Sequence, residues 1–320
     1  LLGAVTARLG EAEFCYPGGC DIGRRPVDQH LAALRALGAE VWERNGLICC
    51  RASRLQGGRI RLACPSVGAT ENAMLAAVLA KGDTVIENAA REPEIADLAA
   101  LLCAMGARVS GAGGSTIRIR GVERLGGAEH VCMADRIECG TFMAAVLCTG
   151  GRVLLKGPPP PGAMAAQLAL FRSAGLSLTP AGRGLLAECH SRPRPVAVCT
   201  RPHPGLPTDM QPQLCAVAAL ADGQSRIRET VFEDRFRHAA QLAKTGADIR
   251  ILGREALICG RPRLFGAHMQ ATDLRGGAAM VLLALAAEGR STVENAHLID
   301  RGYMAFEQKL TALGADIRRR

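Results

Sequence analysis

Aromatic residues are scarce: the 320-residue chain has one Trp, two Tyr and seven Phe. That scarcity argues against a stacking platform for single-stranded nucleic acid. It also leaves the core to Ala, Leu, Val and Ile, which suits helices packed closely on sheets. No run of 18 or more apolar residues occurs, so no membrane-spanning helix is expected. The N-terminus has no charged–apolar–small leader pattern. There is no Cys-x-x-Cys among the 13 cysteines, which argues against a structural zinc site. No Gly-Lys-Ser or Gly-Lys-Thr follows a glycine-rich turn, so there is no Walker loop.

The net charge of +9 is carried mainly by arginine. The basic residues are dispersed, with no dense run before the terminal Arg318-Arg319-Arg320, so steering of small anionic substrates is a better reading than nucleic-acid binding. The cysteines are odd in number and scattered. "LLCAMG" (Cys103) and "QLCAVAA" (Cys215) read as buried thiols, and the whole set suits a reducing, cytoplasmic compartment. At roughly 100–200 residues per domain, the length predicts two domains. The first residue is Leu rather than Met, which reads as a start inside a longer gene product.

One phrase returns along the chain: an apolar helical stretch, a glycine, then a β-rich run. The first series is "ALGAEV" (Gly38), "AMGARV" (Gly106), "SAGLSL" (Gly175), "KTGADI" (Gly246) and "ALGADI" (Gly314). An interleaved series places Gly10, Gly82, Gly151, Gly223 and Gly289 in the same role. Both repeat at about seventy residues, which is too long for an ordinary solenoid and predicts pseudo-symmetric units of two helices and several strands. Glycine after a helix takes the left-handed conformation that closes the last turn.

Several loops carry chemistry-bearing residues. "YPGGCDIGRRPVDQH" holds Cys20 on a glycine-rich turn beside Arg24 and Arg25, which would favour its thiolate. The alternatives are a nucleophile or acid on a lid, or an ordinary loop cysteine. Pro26 fits a first helical turn, Arg25 suits bidentate phosphate binding, and Asp28 suits either a cap or an acceptor for a polar ligand. "CPSVGATENAM" (Cys64–Met74) predicts a helix from Thr70-Glu71, with backbone donors before it as an anion seat. Asp209, in "HPGLPTDMQPQ", is either a helix cap or a general base on a rigid turn. Arg235 ("ETVFEDRF"), Asp273 and Arg275 ("ATDLRGGA") and Arg301 ("HLIDRGY") lie at strand-to-helix junctions in different repeats, which pseudo-symmetry would gather around an anion.

These stretches, with "VIENAAREPEI" and "DRIECGTF", resemble the UDP-N-acetylglucosamine 1-carboxyvinyltransferases in order and over the whole chain. The resemblance implies an α/β fold, the inside-out α/β barrel of the enolpyruvyl transferases. Its βαβαββ units form two domains at a cleft, here 1–134 (about one unit short upstream) and 135–320. It implies transfer of the enolpyruvyl group of phosphoenolpyruvate to the 3-hydroxyl of UDP-N-acetylglucosamine with release of phosphate, an early step of peptidoglycan synthesis. By the same resemblance Cys20 is the acid, Asp209 the base, and Arg25 and Arg301 the phosphate clamp. Arg25, Pro26, Val27, Asp28, Gln29, Cys64, Pro65, Ser66, Val67, Asp209, Val231, Arg275 and Arg301 contact substrate. No metal, organic cofactor, nucleic acid or membrane partner is implied. The chain departs from the family in lacking an opening segment with a lysine–asparagine pair, in Cys64 where lysine is frequent, and in the glycines of "LRGGA". A non-catalytic protein that retains the UDP-sugar site is the alternative.

Overall fold

The computed structural model describes residues 1–320 apart from 17, 19–22, 24 and 25. The expectations for Cys20 and Arg25 therefore lie outside the described residues. The chain divides into two compact units, one over residues 1–133 apart from the loop around Gly23, the other over residues 134–320. Each has its own apolar core.

The first unit opens with helix α1 (Leu2–Leu9), strand β1 (Glu11–Cys15), α2 (Asp28–Ala36), β2 (Glu40–Arg44) and β3 (Leu47–Arg51). It continues with β4 (Arg59–Arg61), α3 (Val67–Ala77), β5 (Asp83–Glu87), α4 (Pro93–Ala104), β6 (Arg108–Ser110) and β7 (Thr116–Arg120). The second unit runs α5 (Arg136–Thr149), β8 (Gly151–Lys156), α6 (Ala165–Ser173), β9 (Ser177–Ala181) and β10 (Gly184–Cys189). Then come β11 (Ala197–Cys199), α7 (Gln211–Leu220), β12 (Gln224–Arg228), α8 (Arg237–Ala243), β13 (Asp248–Leu252) and β14 (Glu255–Cys259). It ends with β15 (His268–Gln270), α9 (Leu274–Ala286), β16 (Thr292–Glu294) and α10 (Phe306–Ala312).

Two of these stretches are complete βαβαββ repeats, and their sheets have the same order, β4-β5-β7-β6 and β11-β12-β14-β13. In each, the first pair is parallel and the last two strands form an antiparallel hairpin. The glycines of both series follow the ten α-helices of the described residues in turn, and all ten glycines have positive φ. That conformation ends a helix at little cost only for glycine.

The two helices of a repeat differ in burial. Along α3, α5, α7 and α9 the buried residues, mostly Ala, Met, Leu and Val, run all round the helix. In the second unit α5, α7 and α9 pack on one another, with the sheets outside them. The alternate helices α2, α4, α6, α8 and α10 bury a single stripe. The stripe decides the fate of Cys103. Ile95, Ala99 and Leu102 form the buried face of α4, so the next residue turns outward, and Cys103 is exposed rather than buried as its apolar neighbours suggest. Cys215, on the fully packed α7, is buried as expected.

Glycines 276 and 277 lie at the start of α9. A Cβ built on Gly277 would stand 2.8 Å from Ile299 Cγ1 and 3.0 Å from the Ala271 Cβ. The helix thus approaches its neighbours too closely for a side chain at that position. No helix among the described residues is long and apolar enough to cross a membrane.

Candidate functional site

Among the described residues, the expected site residues occur in both units, with Cys20 and Arg25 outside them. In the second unit the group is built on the starts of the central helices. A short 3-10 turn, Thr208–Met210, leads into α7 and carries Asp209. Asp209 does not cap the helix; its carboxylate takes a hydrogen bond on each oxygen, from Arg235 Nη2 at 3.0 Å on Oδ1 and from Arg275 Nε at 3.1 Å on Oδ2. Arg235 lies just before α8, and Arg275 is in the first turn of α9. Arg136, first residue of α5, adds its charge to the same carboxylate. Asp209 lies just before α7 and Arg275 in the first turn of α9, so the N-terminal ends of these two packed helices meet, and the positive ends of their dipoles converge on one place.

Burial pushes the Asp209 carboxyl upward, but Arg275, Arg235, the hydrogen bond from Arg275 and Arg136 together hold it below the usual aspartate range. The side chain remains 36% exposed, whereas that of Arg235 is only 3% exposed. Asp209 is thus an ionised carboxylate that faces outward from cations packed behind it. Arg235 Nε and Arg275 Nη1 are buried and have no hydrogen-bond acceptor among the described residues. Arg301, at the end of the 3-10 turn Ala296–Arg301, is exposed. Val231 is exposed on the loop after β12.

Three supports for this arrangement do not follow from motif spacing. Asp273 caps α9, accepting from the Arg275 and Gly276 amides at 3.0 and 3.1 Å, and so fixes the backbone from which Arg275 reaches out. Tyr303 lies wholly buried beneath Arg275, whose guanidinium carbon is 5.1 Å from the ring centre. The Tyr303 hydroxyl hydrogen-bonds Thr141 at 2.8 Å and accepts from Gln213 at 2.9 Å, joining α5, α7 and the Arg275 seat. Glu229 is the third. Its buried carboxylate accepts from Thr200 at 2.8 Å, Thr208 at 2.8 Å, and the Val231 and Phe232 amides at 2.7 and 3.2 Å. It ties the proline-rich loop that carries Asp209 to the loop that carries Val231 and Arg235. Glu229 opens the quoted "ETVFEDRF" motif, but nothing in its spacing marks it out.

In the first unit the group lies at the starts of α2 and α3. The Gln29 side-chain amide grips Cys64 twice, donating to Sγ at 3.1 Å and accepting from the backbone N–H at 3.2 Å. Helix α3 begins at Val67, not Thr70. Ser66 is its cap, accepting from the Ala69 amide at 3.3 Å, while the Thr70 hydroxyl turns back to the Ser66 carbonyl at 2.8 Å. Helix α2 begins at Asp28 with Val27 as N-cap, so Pro26 precedes the cap instead of occupying the first turn. Asp28 makes no capping bond but sits where a helix dipole favours a negative charge. Pro26–Gln29 and Cys64–Val67 therefore form neighbouring loop-to-helix junctions, with Cys64 exposed.

This fold of repeated βαβαββ units, with cation-ringed helix starts, defines an enolpyruvyl transferase. A model of the EPSP synthase (3-phosphoshikimate 1-carboxyvinyltransferase) family matches residues 1–310. The chain is 51% identical over 320 residues to the UDP-N-acetylglucosamine 1-carboxyvinyltransferase 1 of Symbiobacterium thermophilum, covering 100% of this chain and 72% of that protein. It is 48% identical over 318 residues to the UDP-N-acetylglucosamine 1-carboxyvinyltransferase of Oleidesulfovibrio alaskensis, covering 99% and 76%. Among solved structures, the enolpyruvyl transferase NikO of Streptomyces tendae superposes with a TM-score of 0.86 at 28% identity, over 99% of this chain and 76% of that one. The EPSP synthase of Acinetobacter baumannii, at 20% identity, shares the fold with a TM-score of 0.72 over 98% and 76%. The chain belongs to the EPSP synthase family of transferases, alongside its UDP-N-acetylglucosamine 1-carboxyvinyltransferases.

Proposed function

We propose that this chain transfers the enolpyruvyl group of phosphoenolpyruvate to the 3-hydroxyl of UDP-N-acetylglucosamine, releasing phosphate and supplying peptidoglycan synthesis in the cytoplasm. The supporting observation is Asp209, an ionised, partly exposed carboxylate with Arg235 and Arg275 bound to its two oxygens. The relatives' names supply the substrate pair.

The reaction adds the sugar hydroxyl to carbon 2 of phosphoenolpyruvate and then expels phosphate. In this reading Asp209 accepts the hydroxyl proton as the new C–O bond forms, and Cys20 delivers a proton to the methylene carbon. Elimination returns a proton from the new methyl group to the Cys20 thiolate as phosphate leaves with the electron pair of its C–O bond. Arg25 and Arg301 hold the phosphate, and guanidiniums suit it because their fork matches two phosphate oxygens. The lowered pKa of Asp209 keeps it ionised at neutral pH but makes it a weak resting base. It therefore acts chiefly by holding the hydroxyl in line and taking its proton only as the bond forms. Pro26–Gln29, Cys64–Val67 and Val231 contact the nucleotide sugar.

Phosphate release from the two substrates tests this reading, with the chain assayed both alone and within the longest gene product that contains it. Turnover that Asp209→Asn reduces by at least about a hundredfold supports it. Binding of UDP-N-acetylglucosamine with no phosphate release from either form overturns it in favour of a binding protein.

A further inference from the structure

Among the described residues, one group combines an imidazole, a carboxylate and a thiol. Asp97 of α4, His130 and Cys132 place one ligand atom each within 4.8 Å of one another. The three lie in the first unit, apart from the residues assigned to catalysis or substrate. His130 Nε2 is 3.1 Å from Asp97 Oδ1, and both side chains are largely shielded, at 17% and 25% exposure. Cys132 is exposed beside them as a free thiol.

The local chain explains the arrangement. Residues 121–135 form an irregular segment between β7 and α5. Its backbone is anchored at Val122, to the Val78 carbonyl, and at Gly126, to the Met105 carbonyl. Beyond these, His130 reaches back to α4. His130 and Cys132, two positions apart, both reach Asp97, while Val131 between them is 92% exposed.

We propose that Asp97, His130 and Cys132 bind one borderline divalent ion, zinc or cobalt(II), which clasps this segment to α4. Nitrogen, oxygen and sulfur donors together suit such an ion, whereas magnesium and calcium prefer oxygen alone. Bonds of about 2.0–2.3 Å put tetrahedral ligands roughly 3.3–3.8 Å apart, so the 4.8 Å cluster closes by about 1 Å through side-chain rotation. Three protein ligands leave the fourth position to water. On binding, the Cys132 S–H bond breaks, its proton passes to solvent, and the sulfur pair forms the metal bond. Absence of Cys-x-x-Cys from the sequence does not bear on this site, because its third ligand comes from a helix more than thirty residues away in the chain.

The test titrates the reduced, metal-free chain with Zn²⁺ and, separately, Co²⁺. Wild type is expected to bind one ion more tightly than Cys132→Ser and Asp97→Asn, by about tenfold or more in each case. Its cobalt complex should show near-ultraviolet sulfur-to-metal absorption that Cys132→Ser loses, and its melting midpoint should rise with zinc only while all three ligands are present. Cys103→Ser removes an exposed thiol from the same helix and should leave all three readouts unchanged. Equal affinity and an equal absorption band in Cys132→Ser and wild type would overturn the proposal. Cys132 is exposed, so its serine variant should fold. None of these measurements depends on turnover, so the proposed transfer stands or falls separately.

Discussion

Asp209 and Glu229 do different work at the same turn. Asp209 faces outward with a lowered pKa, while Glu229 is buried and accepts four hydrogen bonds that brace two loops. Glu229→Gln replaces an acceptor oxygen with a donor NH₂, setting it against a hydroxyl or backbone N–H that now has no acceptor. We expect a loss of about 1–3 kcal/mol in stability, measured by urea unfolding, together with a fall in kcat as the Asp209 turn loosens. His238 gives a pH signature. Burial pushes it down to about 4, with Asp273 opposing and Arg235 assisting. The unfolded chain binds this proton near 6.5, the folded chain only near 4. The stability from neutral His238 is therefore intact above 6.5 and is lost as pH falls from 6.5 towards 4. Asp209, also lowered, adds a second loss only at still more acidic pH. Unfolding free energy followed from pH 7 to 4 should slope less in His238→Gln than in wild type.

The repeat is the relevant element. Its two helices each end at a glycine but differ in burial, the inner one packed all round and the outer one along a stripe. Gly277 on α9 is where this packing is tightest. Alanine normally favours a helix interior over glycine by up to about 1 kcal/mol. Here its Cβ would meet Ile299 and the immobile Cβ of Ala271 at 3.0 Å or less. We expect Gly277→Ala to be destabilising by about 1–2 kcal/mol, seen as a lower melting midpoint. An unchanged or raised midpoint would show that α9 can shift to accept a methyl group. The period and the glycine series are visible in the sequence because a positive φ demands one residue type at each helix end. Helix starts are less legible. Helix α3, capped by Ser66, begins three residues before the start expected at Thr70-Glu71, because a serine cap needs only a backbone N–H three residues on and leaves no wider pattern.

At the scale of the whole molecule, +8 of the net charge of +9 falls on residues 134–320 and only +1 on residues 1–133. Both proposed substrates carry phosphate, so association should be faster at low ionic strength. Stopped-flow binding of UDP-N-acetylglucosamine should slow several-fold between about 20 and 300 mM salt as screening shortens the reach of the field. A salt-independent rate would assign the arginines to local structure alone. Long-range packing also separated cysteines that look alike in sequence. Cys215 sits on the wholly buried α7 with its thiol pushed up, and Cys103 on the open face of α4, so a thiol reagent should modify Cys103 rapidly and Cys215 only on unfolding.

The sequence by itself determined the repeat, the alternation of helix and strand, the glycines that end each helix, and the loops that hold Asp209, Arg235 and Arg275. All of these follow from local backbone preferences and short-range periodicity, which neighbouring residues impose. Only the tertiary structure decided that Arg235 and Arg275 share the two oxygens of one carboxylate, that Glu229 and Tyr303 support them, and that Asp97 meets His130 and Cys132. Those contacts join distant residues, from 26 positions apart for Arg235 and Asp209 to 162 for Thr141 and Tyr303, and their geometry comes from packing helices and distant loops together, which no local pattern encodes.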